Sequence, residues 1–118
     1  TLSGGQQKLV DIAMAFMSEP DLVLLDEPCA GVNPSLVGGI SKLLKALNQS
    51  RKGSFVVIEH NMDVIRCADH IIDIGPEGGA RGGDVVAEGT PDAIMKHSKS
   101  ITGAYLKREI EEMKKSKR

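Results

Sequence analysis

The sequence predicts an α/β fold, a mostly parallel sheet flanked by helices, and three observations predict it. Leu22-Val23-Leu24-Leu25 and Phe55-Val56-Val57-Ile58 are short, continuous apolar runs of the kind that form strands buried on both faces. The stretch between them carries helical spacing, and a helical crossover joining two parallel strands is right-handed. Each run stops abruptly at polar residues, Asp26-Glu27-Pro28 and Glu59-His60-Asn61. Both sets therefore stand on the C-terminal edge of the sheet, where open α/β sheets bind ligands.

The elements come in order. Ser3 is a good N-cap, and Leu9, Val10, Ile12, Ala13, Phe16 and Met17 recur behind it at helical spacing up to Glu19-Pro20. The first strand ends at the Asp26-Glu27 pair. Cys29 to Pro34 then reads as a turn, and Ser35 as the cap of a second helix that buries Leu36, Ile40, Leu43, Leu44 and Leu47. Gly38-Gly39 weakens that helix by about 1 kcal/mol per glycine. Asn48 to Gly53 reads as a polar, basic loop before the second strand.

Asn61 caps a short helix through Met62, Val64, Ile65 and Ala68, and Ile71-Ile72-Asp73-Ile74 is a third strand. A glycine-rich connection over 75–83 leads to Asp84-Val85-Val86-Ala87-Glu88, which suggests a hairpin at the sheet margin. It is not a phosphate-binding loop, because it joins two strands and no Gly-Lys-Ser/Thr comes after it. Thr90-Pro91-Asp92 is a strong helix start. From Ile101 the chain has helical propensity, with Tyr105, Leu106, Ile110 and Met113 as a weak stripe, and it ends in the basic Met113-Lys114-Lys115-Ser116-Lys117-Arg118. Residues 1–106 read as one unit, part of a domain, and 107–118 as a basic helical or frayed tail.

Composition bounds the function. Fifteen Lys+Arg against 16 Asp+Glu give a net charge of −1, so no overall basic field argues for nucleic acid. Cys29 and Cys67 are far apart and lack any CxxC spacing, so neither a zinc module nor a disulfide framework is indicated. No apolar run approaches the roughly 18 residues that a membrane span needs. The 118-residue chain opens at Thr1, already inside a motif, and reads as a fragment.

Three groups of residues carry chemistry. Asp26 and Glu27, two carboxylates at a strand's C-terminal end, suit magnesium and an activated water. Gly4 and Gly5 in the first turn of a helix let a phosphate approach free backbone N–H groups at the positive end of the helix dipole. His60, which alone reads as a capping or surface residue, faces the carboxylate pair from the adjacent strand.

Leu2-Ser3-Gly4-Gly5-Gln6, the apolar run into Asp26-Glu27-Pro28, and the strand ending in His60 resemble, in order, the signature, Walker B, D-loop and switch-histidine regions of ABC-type ATPases. The resemblance implies a P-loop NTPase-like partial domain lacking the Walker A half, since no GxxxxGK[ST] occurs in the chain. It implies ATP and Mg²⁺ as cofactors, with Asp26 holding the metal through water. Glu27 becomes the general base or water-orienting group, and His60 the contact to the γ-phosphate. Ser3, Gly4, Gly5, Gln6 and Asn33 become the residues that meet ATP across a head-to-tail dimer with a second ABC ATPase subunit or domain. Most of the family has aspartate where this chain has Asn33. The chain alone is expected to be inactive, hydrolysing ATP only with a segment that carries the missing loop.

The two halves point to different families. Gln6-Gln7-Lys8-Leu9 with Asp26 to Pro34 resembles ATPase subunits of branched-chain amino acid importers, which implies a membrane permease as partner and a place at the inner face of the membrane. Residues 57–106, including Val57-Ile58-Glu59-His60-Asn61-Met62-Asp63-Val64-Ile65 and Ile71-Ile72-Asp73-Ile74-Gly75-Pro76-Glu77-Gly78-Gly79, resemble the C-terminal end of the UvrA excision-repair ATPases. That implies DNA and repair proteins as partners. UvrA-like signature helices usually begin Ser-Gly-Gly-Glu, whereas this one has Gln6. The sequence puts an importer motor of cytoplasmic location first, with a DNA-damage-recognition ATPase and a non-catalytic accessory module as alternatives; a mosaic of both families also fits.

Overall fold

The computed structural model describes residues 1–50, 53–75 and 82–117, and falls into two compact units, Thr1–Cys67 and Ala68–Arg118. In the first unit, helix α1 (Gly4–Phe16) precedes strand β1 (Leu22–Asp26), helix α2 (Pro34–Ser50), strand β2 (Ser54–Ile58) and the short helix α3 (Met62–Ile65). β1 and β2 pair in parallel, Leu22 opposite Ser54 and Asp26 opposite Ile58, so α2 is the crossover that the sequence predicts.

Ser3 caps α1 as expected, and it does so reciprocally. Its hydroxyl accepts the Gln6 N–H at 3.3 Å, and the Gln6 side-chain oxygen accepts the Ser3 N–H at 2.9 Å. The buried stripe of α1 is Gly5, Ile12 and Phe16; Val10 and Met17 turn to solvent, against the wider stripe expected. Phe16 stacks at 5.1 Å on Phe55 of β2, tying helix to sheet. Val23, Val37, Ile40, Leu44 and Val64 complete this core.

The structure corrects three expectations. The cap of α2 is Asn33, not Ser35: the Asn33 side-chain oxygen accepts both the N–H and the hydroxyl of Ser35 at 3.0 Å, and Pro34 takes the first helical position, where its missing N–H costs nothing. α2 runs on through Ser50, so the first half of the loop expected over 48–53 is helix, with 51–52 outside the described residues. The strands are not buried on both faces. Leu24 is 70% exposed and Leu22, Val56 and Ile58 are more than half exposed, because α1 and α2 pack on the other face.

In the second unit, strands β3 (Ile71–Ile74) and β4 (Val85–Gly89) pair antiparallel, followed by helices α4 (Pro91–Lys96) and α5 (Ile101–Ser116). Most of the glycine-rich connection between the strands, 76–81, lies outside the described residues. Thr90 caps α4 with Pro91 in its first turn, as the sequence predicts. The core is Ile71, Ala87, Ile94 and Leu106. Beside it, buried Asp73 accepts the hydroxyls of Ser100, at 2.5 Å, and Thr102, at 2.7 Å, while Ser100 also accepts the Gly103 N–H as the cap of α5. One carboxylate thereby fixes β3 to the start of α5.

Candidate active site

β1 and β2 deliver their C-terminal residues to one edge of the sheet. The ladder continues one step beyond the strands, with the Glu27 N–H donating to the Ile58 carbonyl at 2.9 Å. That register sets a Glu27 carboxylate oxygen 3.8 Å from His60 Nδ1, and both side chains face solvent. A carboxylate beside an imidazole on an open edge can orient a water and meet an anion. Glu27 has a left-handed backbone (φ +46°), a conformation uncommon outside glycine that clusters at functional sites. Its carbonyl accepts the Ala30 N–H at 3.0 Å and the Lys8 ammonium of α1 at 3.5 Å.

Asp26, next to Glu27, is exposed at the same strand end. Among the described residues no group of three or more His, Cys, Asp or Glu could hold a metal. Two carboxylates alone still fit Mg²⁺, a hard cation that takes one or two carboxylates and completes its shell with water and substrate phosphates.

The residues expected to meet ATP across a dimer make local bonds. Ser3 and Gln6 bond each other, and Asn33 bonds Ser35; among the described residues none of them reaches Glu27 or His60. The two glycines differ. Gly4 has open space where a side chain would stand, whereas Gly5 is buried with Leu36 and Val32 against it, so a Cβ there would come within 2.8 Å of Leu36 Cδ1. Gly4 leaves the helix start accessible; Gly5 seats it on α2.

Glu59 is the residue that sequence reasoning passed over. One carboxylate oxygen accepts the Cys29 N–H at 2.9 Å; the other accepts the N–H groups of His60, at 2.9 Å, and Asn61, at 3.0 Å. Burial alone would raise its pKa, but the N–H bonds from Asn61, Cys29 and His60 outweigh it and hold the carboxyl below the ordinary glutamate value. Cys29 shows the converse. Burial first, then the charge of Glu59 and a hydrogen bond to it, push the thiol up to about 11. A carboxylate directly before the histidine was the available clue, but backbone donors leave no pattern in sequence.

No helix among the described residues is long and apolar enough to cross a membrane. Residues 1–30 match the family model described as ABC transporter. The chain is 46% identical over 116 residues to the UvrABC system protein A of Staphylococcus epidermidis, a match that covers 94% of this chain and 12% of that relative's length. Among solved structures, UvrA2 from Deinococcus radiodurans superposes with a TM-score of 0.77 at 32% identity, over 91% of this chain and 13% of that one. An ATP-binding cassette of an ABC transporter superposes with a TM-score of 0.62 at 37% identity, over 75% of this chain and 33% of that one. These likenesses favour the excision-repair alternative over the importer reading that the sequence put first. In fold and in sequence this chain is a partial ABC-type ATPase domain, similar along nearly all of its length to UvrABC system protein A.

Proposed function

We propose that the chain is the C-terminal part of the ATPase domain of a UvrA-like, DNA-damage-recognition ATPase working in the cytoplasm. The observation that carries the chemistry is the facing of Glu27 and His60 across the ends of two parallel strands, 3.8 Å apart. Glu27 orients the attacking water and takes its proton, and His60 contacts the γ-phosphate and holds it against Glu27. Asp26 would hold Mg²⁺ through water, and the bound ion would supply charge neutralisation at the phosphates. Phosphoryl transfer asks for little else from a protein than positioning and charge stabilisation.

Ser3, Gly4, Gln6 and Asn33 lie on the surface that closes over the nucleotide of the opposite subunit in a head-to-tail dimer, and Gly5, buried beneath it, serves through its backbone by seating the helix start; the open space at Gly4 and the solvent exposure of Asn33 suit that role. Residues 1–106 form the ATPase part and 107–118 a basic tail. With no GxxxxGK[ST] in the chain, ATP hydrolysis requires a further segment that supplies the lysine and the backbone cradle for the β- and γ-phosphates. Nucleotide titration tests this: the isolated chain binds Mg-ATP more weakly than micromolar, and micromolar affinity would overturn the reading.

DNA is the partner of the assembled ATPase in this reading, and its binding falls steeply with salt. The importer alternative keeps some support from the 37% identity to a transporter cassette and from Gln6. Co-purification with a membrane permease, without salt-sensitive DNA binding, would favour it.

A further inference from the structure

We infer that Glu59 is a positioning residue, whose carboxylate ties the turn after β1 to the turn after β2 so that Glu27 and His60 face each other. The inference rests on the proposed roles of those two residues in hydrolysis. The parallel ladder ends at the Glu27 N–H, and nothing in the strands themselves fixes the residues beyond it. Glu59 supplies the next tie: one oxygen on Cys29, two residues beyond Glu27, the other on His60 and Asn61.

The stretch from Glu27 to Cys29 is therefore pinned at both ends, by Ile58 before it and Glu59 after it. That is what a left-handed glutamate needs, because such a conformation persists only where the surroundings over-determine it. On the other strand the same carboxylate takes the N–H of His60 itself. Bonds from N–H to an ionised carboxylate are about twice as strong as neutral ones, and Glu59 is half-buried, so water competes little.

The residue type matters. Glutamine has one acceptor oxygen, and its amide nitrogen would confront an N–H, so it can serve one turn but not both. Aspartate lacks a methylene and falls short of Cys29.

The test is amide NMR on the full chain. In Glu59→Gln the amides of Cys29, His60 and Asn61 exchange with water at least about tenfold faster, while the ladder amides of Leu24 and Val57 keep their protection. The cross-relaxation between the His60 ring and the Glu27 methylenes is lost, and Glu59→Asp does not restore it. A folded Glu59→Gln chain that keeps that cross-relaxation overturns the proposal.

If the variant does not fold, the wild-type chain decides. Its three amides share one acid midpoint, below the ordinary glutamate value of about 4.3, because all three bond one group. Glu27, His60, Asp63 and Lys8 are the other charged groups nearby, and they reach these amides unequally; three separate midpoints overturn the proposal. Failure of the ATPase reading is distinguishable. A chain with the bridge intact whose Glu27→Gln variant leaves hydrolysis by the assembled ATPase unchanged removes that reading without touching the bridge.

Discussion

His60 Nδ1 stands 3.8 Å from Glu27 Oε1, and the two residues come from the ends of different strands. They meet because a parallel pair joined by a helix puts both C-terminal ends on one edge, and because the register carries Glu27 one hydrogen bond past the strand. In the assembled ATPase, Glu27→Gln lowers hydrolysis by roughly 10²–10⁴-fold, the range for loss of a general base, and leaves nucleotide trapped. Phosphate release with bound-nucleotide analysis reads both; unchanged turnover would sink the assignment.

Stability depends on pH through Glu59. Its pKa is lower in the folded chain than in the unfolded one, so its contribution is fully present above the ordinary glutamate value and is lost as pH falls through the lower folded value. Urea midpoints for the first unit therefore decline as pH falls below about 4.3, and Glu59→Gln flattens that decline. Equal slopes in the two proteins would count against it.

The two thiols separate by reactivity. Cys67 is exposed and reacts with a disulfide reagent in the native state, whereas Cys29 is buried, with its thiol pushed up to about 11. At pH 8 Cys29 carries about 100-fold less thiolate than a free thiol of pKa 9.0. One equivalent of reagent is consumed quickly and the second only on unfolding. Because folding raises this pKa, the thiol's contribution to stability is intact below about 9 and is lost as pH rises from there through about 11.

Ser100→Ala removes a helix cap and a charge-assisted bond to buried Asp73 together, and costs the second unit about 2–3 kcal/mol. Thr102→Val removes one bond to the same carboxylate and costs about 1–2 kcal/mol. The two losses are not additive, since they share Asp73. Denaturant unfolding monitored through β3 and β4 amides measures both.

Leu24 and Val56 are register partners on the exposed sheet face. Replacing them with an opposite-charge pair, Leu24→Lys with Val56→Glu, lowers binding of an apolar dye and concentration-dependent scattering, with the urea midpoint changed by less than about 1 kcal/mol equivalent. Dye binding and scattering that do not change would count against this face as an association surface.

Much of the fold and of the site edge was legible in the residues. Apolar runs ending in Asp26-Glu27 and Glu59-His60, with a helical stretch between them, dictate a parallel pair with its polar ends on one edge. Ser3, Asn61 and Thr90 announce helix starts through short side chains that must cap N–H groups, and the structure has them there. The cap of α2 could have been read too, since a proline fits the first helical position and so makes Asn33, not Ser35, the cap. What covers a strand is another matter. Leu22 and Leu24 are as apolar as Val23, and an apolar run reads the same whether or not a neighbour lies over it. Glu59 was hidden for a different reason: its partners are main-chain groups, which every residue has.

The two sheets also differ in how far the chain travels to close them. β3 finds β4 through a single connection, whereas β1 meets β2 only after the whole of α2 has crossed between them. Pairings between distant parts of a chain form late, because the entropy of closing the loop is lost before any contact rewards it. The expected order is therefore hairpin first and the edge that bears Glu27 and His60 afterwards, which pulsed amide exchange during refolding would read. An early folding species of this chain would hold its second sheet and have no site.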